Sequence, residues 1–83
     1  MAPLLIQRTI AVVVGDPEKV AHRIEAVFKM QDVAAVCKVK ETNVKIDVST
    51  LDLEEKDLEE RVEAWIEQAA ADVAARIRWV EDA

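Results

Sequence analysis

Apolar and polar positions alternate along residues 4–14, with Ile6, Ile10, Val12 and Val14 on one face and Gln7, Thr9, Ala11 and Val13 on the other. A β-branched run of this period, ended by Gly15, predicts a strand. Asp16-Pro17-Glu18 then supplies a helix start: a side-chain acceptor for free amides, a proline whose missing N–H costs nothing there, and an acid beside the positive helix end. The period changes to three and four through Val20, Ile24, Val27 and Phe28, so a helix runs to about Met30, with His22 and Lys29 on its wet face. Alternation returns over residues 33–40 and 44–50. Pairing Val39 with Val44, Cys37 with Ile46 and Ala35 with Val48 puts every inward apolar residue on one face and leaves Glu41-Thr42 as the loop of a hairpin.

Asp52, with Glu55 at capping-box spacing and Leu53 opening the apolar pattern, starts a second helix. Its stripe, Leu58, Val62, Trp65, Ile66, Ala69, Val73, Ile77 and Val80, predicts one helix over residues 52–80. At ~1.5 Å per residue it would extend roughly 40 Å, and strands of seven or eight residues reach only about 25 Å. The predicted fold is α+β: a two-layer β-α-β-β-α sandwich with a three-stranded sheet, the first strand parallel to one strand of the hairpin, and a long C-terminal helix that overhangs it. An alternative remains. Ile77 and Trp79 alternate with Arg76 and Arg78, so Arg76 to Val80 would form a fourth strand in a ferredoxin-like β-α-β-β-α-β order. Against it, residues 69–76 hold no Gly, Asn or Pro to end the helix.

With 83 residues, the chain is read as a single α/β domain over residues 1–83, with a small core to which association would add stability. A hydrophobic content of 52% with one Gly and two Pro excludes a disordered chain. One Cys rules out an internal disulfide and suits a reducing compartment, and neither a leader nor a membrane span is apparent, so the expected location is cytoplasmic. The net charge of −6 resides in residues 52–67, where Asp52, Glu54, Glu55, Asp57, Glu59, Glu60, Glu63 and Glu67 face only Lys56 and Arg61. An acidic chain of this kind is not expected to bind nucleic acid directly.

No catalytic constellation emerges. Cys37 falls among inward aliphatics with no base near it in sequence, which reads as a core thiol. His22 has no carboxylate, Ser or Cys at a spacing that would hold it for acid-base work. One Cys and one His cannot build a four-ligand zinc site, and a single glycine cannot build a phosphate loop, so no metal or cofactor is expected. Lys38, Lys40 and Lys45 cluster on the outer face of the hairpin without aromatic neighbours, a pattern of edge protection and solubility.

Two surfaces suggest partners instead. Ala69, Val73, Ile77, Trp79 and Val80 form the overhanging end of the helix, where alanines allow close helix-helix packing, so a homodimer or heterodimer through this helix is expected. Glu59, Glu63 and Glu67 form a like-charge ridge four residues apart, a candidate docking face for a basic partner.

The capped helix that begins at Asp16-Pro17-Glu18 and the hairpin Val-Cys-Lys-Val-Lys-Glu-Thr-Asn-Val-Lys-Ile-Asp-Val leading into a long helix resemble the small dimerising subunit family of the archaeal and eukaryotic KEOPS complex. The likeness covers nearly the whole chain. Asp57-Leu58-Glu59-Glu60-Arg61 lacks the Asn-Ser part of that family's last-helix pattern, as in a divergent paralogue. The resemblance implies a noncatalytic dimerisation or adaptor subunit of a larger protein complex, supporting synthesis of threonylcarbamoyladenosine in tRNA. The layout also resembles the DinI family, whose acidic last helix engages a recombinase filament, with Glu59, Glu60, Glu63 and Glu67 as the matching acids. A third reading, an engineered α/β scaffold, comes from clean capping and sparse glycine.

Overall fold

A computed structural model describes residues 4–50 and 55–81. The elements are β1 (Leu4–Val14), α1 (Pro17–Met30), β2 (Ala34–Lys40), β3 (Asn43–Thr50), α2 (Glu55–Asp72) and β4 (Arg76–Val80). The strands form one antiparallel sheet in the order β2-β3-β1-β4, so β1 runs parallel to β2 with β3 between them. Both helices cover one face. This is the α+β sandwich expected, in the alternative β-α-β-β-α-β order with Arg76–Val80 as the fourth strand rather than in the three-stranded form.

The hairpin register is the one its alternation dictates: Val39 opposite Val44, Cys37 opposite Ile46 and Ala35 opposite Val48. Glu41 and Thr42 form the two-residue turn, with Glu41 at φ 57° where glycine would be easier. Helix α1 starts as its sequence predicts. The Asp16 carboxylate accepts from the Glu18 N–H at 3.0 Å, and Pro17 occupies the first turn. Its end uses no glycine. Asp32 adopts the left-handed conformation at φ 60°, Val33 N–H donates to Phe28 O at 3.0 Å and Asp32 N–H to Lys29 O at 3.1 Å. This is the Schellman arrangement, completed by burial of both Val33 and Phe28 in the core.

The long helix of residues 52–80 is corrected: α2 stops at Asp72. The same device ends it. Ala74 takes the left-handed conformation at φ 55°, Ala75 N–H donates to Ala70 O at 2.9 Å and Ala74 N–H to Ala71 O at 3.1 Å. An alanine there costs about 1–2 kcal/mol relative to a right-handed residue, and the strand beyond the turn offsets that cost. Arg76–Val80 pairs with β1, placing Trp79 opposite Ile10 and Ile77 opposite Val12 against the core. The helix described, 18 residues or about 27 Å, no longer overhangs the sheet. The proposed Asp52 cap lies outside the described residues.

The core joins Ile6, Ile10 and Val12 of β1, Val44, Ile46 and Val48 of β3, Val20, Ile24, Val27 and Phe28 of α1, and Leu58, Val62, Ile66 and Ala69 of α2. Trp65 meets Phe28 edge to face, 5.2 Å between ring centres. Arg23 on α1 bridges to Asp72 on α2 at 2.9 Å. Two β1 positions depart from simple alternation. A bulge lies between Val12 and Val14, which puts Val14 opposite Arg76 and turns it outward, 50% exposed, rather than into the core. Ala11 faces outward yet is buried, being a small side chain on a central strand flanked by Asn43 and Arg78. Val39 keeps its inward register but stays exposed near the hairpin tip, beyond the reach of the helices.

Gly15 lies where two connections meet. Its φ is +115°, and a Cβ there would stand 2.9 Å from the Ala75 Cβ. Replacing Gly15 with Ala is expected to destabilise the chain by about 1–3 kcal/mol, measured by urea unfolding. Ala74→Gly is expected to stabilise it by about 1 kcal/mol by relieving the left-handed alanine; a loss of stability there would mean that α2 does not end as described.

Candidate interaction surface

The residues expected at a partner-facing helix end are placed otherwise by the fourth strand. Ala69 is fully buried, and Val73, Ile77 and Trp79 pack against the core. Val80 is half-buried on the outer face of β4, opposite Thr9. The chain's own sheet therefore covers most of the stripe for which the sequence suggests a partner.

The acidic ridge is partly used within the fold. Arg8 points inward from β1 between Ile6 and Ile10, and its guanidinium reaches Glu59 at 3.6 Å while donating to Gln7 O at 2.8 Å. The Trp79 indole N–H donates to Glu67 Oε1 at 3.3 Å. Glu63 is half-buried and lines an open groove with Gln7, Arg8, Trp79 and Val80. The structure thus brings Trp79 and Val80 together with Glu63 and Glu67 at one end of the sandwich. Sequence alternation carried a signal for Arg8, an even-numbered position among inward residues.

Cys37 is half-buried on β2. Burial pushes its thiol up to about 12, with Glu25 and Asp47 adding in the same direction. The Glu25 carboxylate also accepts from the Cys37 backbone N–H at 3.2 Å, occupying a donor on the outer edge of β2. His22 is exposed and lines a shallow groove with Asp16, Glu18, Arg23, Ala26 and Val73. Among the described residues no cluster of His, Cys, Asp and Glu could hold a metal ion, and no described helix is long and apolar enough to cross a membrane.

The face of the sheet opposite the helices is covered by no other described element. Across it, in strand order, stand Val36, Asp47 and Gln7 in one row, Lys38, Lys45, Thr9 and Val80 in the next, and Lys40, Asn43, Ala11 and Arg78 in the third. Leu5 lies beyond the first row at 73% exposure, Val36 is 55% exposed, and Val14 stands exposed opposite Arg76 at the far end. Its composition combines aliphatic side chains with cations, which neither a core nor a purely solvated face requires. Lys38 and Lys45 sit directly opposite each other, an arrangement that destabilises the hairpin by a few tenths of a kcal/mol, up to about 1 kcal/mol.

The Cys37 thiol is expected to resist iodoacetamide at pH 8 in the folded chain and to react once urea unfolds it; rapid native alkylation would contradict the burial described. A thiol raised in the folded state keeps its proton after the unfolded thiol has lost one. Its contribution is therefore fully present below the ordinary value of 9.0 and lost as pH rises toward about 12. Cys37→Ala should remove that part of the alkaline dependence, read from unfolding midpoints across this range.

Compared with models of known protein families and with curated protein sequences, the chain matches none.

Proposed function

We propose that this chain is a noncatalytic adaptor or dimerisation domain, a subunit of a larger protein complex. The observation that carries the reading is the outer face of the sheet, where Leu5, Val36 and Val14 are exposed on the same side as Lys38, Lys45 and Arg78 although the core beneath is already closed by α1 and α2. An antiparallel sheet can leave such a face solvated, and the aliphatic side chains among its cations favour a binding use. The neutral, half-buried Cys37 thiol agrees with a role that is not nucleophilic.

The assembly proposed is of the KEOPS type, on the layout of the capped first helix and the hairpin running into a second helix, although that helix stops at Asp72. In that reading the domain supports the transferase that makes threonylcarbamoyladenosine in tRNA and leaves contact with the tRNA to other subunits. The recombinase-modulating reading is the weaker one, because Glu59 and Glu67, although exposed, each contact a residue of the chain's own sheet, Arg8 and Trp79.

Light scattering on the purified chain, alone and mixed with the other subunits of a KEOPS-type complex, tests this. Co-elution in a stoichiometric complex is expected. A chain that stays a monomer at high micromolar concentration, and leaves the elution of those subunits unchanged, would remove the proposal.

A further inference from the structure

The alternation of four strands sorts charge as well as hydrophobicity. Lys38 and Lys40 on β2, Lys45 on β3, and Arg76 and Arg78 on β4 all face away from the helices. Lys40 lies about 7 Å beyond Lys38 along their strand, and Lys45 stands opposite Lys38. None of these cations has an ion pair among the described residues; the pairs there join Arg8 to Glu59 and Arg23 to Asp72. Among the described residues Asp47 is the acid on this face, with Glu41 at the hairpin tip, although the chain as a whole carries −6. The helix layer is correspondingly acidic, so the molecule is polarised across its thickness.

The geometry points to an amphipathic acidic helix of a partner protein as the occupant of this face, laid across the sheet as α1 and α2 are laid on the other side. This deepens the adaptor reading and rests on it. Charge complementarity selects an acidic partner: glutamates flanking the helix would meet Lys38, Lys40 and Lys45 on one side and Arg76 and Arg78 on the other. The exposed aliphatics select a protein. Leu5 and Val36 at one end of the face and Val14 at the other offer aliphatic atoms that a helix with an aliphatic stripe would cover and a phosphate chain would not.

Nucleic acid is the poorer fit for three further reasons. The face presents no aromatic ring on which a base would stack, since Phe28, Trp65 and Trp79 all lie on the helix side of the sheet. Asp47 would repel phosphates from the middle of the sheet. The net charge of −6 opposes the approach of a long polyanion.

The test uses the full chain and a synthetic helical peptide with leucines along one face and flanking glutamates, followed by amide chemical shifts. Shifts are expected at Gln7, Thr9, Lys38, Lys45 and Arg78, with affinity that falls as salt rises. Reversing Lys38, Lys45 and Arg78 to Glu should weaken binding about tenfold or more. A milder variant, Leu5→Ser with Val36→Ser, should weaken it too, and serves if the charge reversals disturb the fold by circular dichroism. The proposal is overturned if a peptide with lysines in place of glutamates binds equally well, or if the shifts map to α1 or α2. It is also overturned if oligouridylate binds this face more tightly than the acidic peptide, or if the same shifts arise with protein concentration alone, which would make a second copy the occupant. Complex formation that the charge-reversed chain retains in full would overturn this surface and leave the adaptor reading intact. Peptide binding without assembly into a KEOPS-type complex would do the reverse, supporting the surface and removing the assembly.

Discussion

The close approach of Gly15 to Ala75 decides where the fourth strand begins, and much of the architecture depends on it. The link from β1 to α1 and the link from α2 to β4 stack at this point, and a Cβ on residue 15 would stand 2.9 Å from the Ala75 Cβ. With that space free, the left-handed turn at Ala74 sends Arg76 back antiparallel to Val14. The edge of β1 thereby acquires a partner over Thr9 to Val14, Ile77 and Trp79 close the core beside α2, and the helix loses its overhang. The local cost is a strained alanine, about 1–2 kcal/mol. The return is partial burial of an isoleucine and a tryptophan, each worth about 1.5–3 kcal/mol when fully buried, together with a ladder of backbone hydrogen bonds.

That balance explains which features the chain announces in its residues. The hairpin register is legible because Ala35, Cys37, Val39, Val44, Ile46 and Val48 allow one pairing that keeps the apolar face intact, and a one-residue slip would reverse every side chain. The start of α1 is legible because Asp16 and Pro17 act through local hydrogen bonding alone. The end of α2 is not, because it depends on a tertiary gain. Helix ends are recognised by glycine or asparagine in the left-handed position, and Asp32 and Ala74 occupy it here. The helical spacing also continues by coincidence from Val73 to Ile77 and Val80, although Ile77 faces inward from a strand and Val80 outward. Likewise the bulge that turns Val14 outward leaves no mark in a run of consecutive valines.

The candidate surface is less legible than the fold, for a related reason. Lys38, Lys40 and Lys45 are grouped in the sequence and read as a protective edge; Arg76 and Arg78 are remote from them and read there either as part of a helix or as alternate positions of a fourth strand. The pairing registers of β2 with β3 and of β1 with β3 and β4 place both sets on one face. Conversely, the ridge of Glu59, Glu63 and Glu67 looks free in the sequence because its partners, Arg8 and Trp79, lie on strands outside that helix. The acids thus tie α2 to its own sheet, and the cations are left facing outward.

An open sheet can accept a partner by adding a strand at its edge or by covering its face, and the two edges here disfavour the first. On β2 the Cys37 N–H is already bonded to Glu25, and Lys38 and Lys40 lie just beyond it. On the other side β4 is five residues long and carries exposed arginines at 76 and 78. Both edges would require a new strand to approach along cationic side chains with little aliphatic surface to cover. The face adds Leu5 and Val14 of β1 to the single Val36 of the β2 edge, together with the same cations. Those lysines and arginines therefore discourage strand addition and at the same time favour an acidic partner from above, so one charge pattern separates unwanted pairing from the docking that the surface suits.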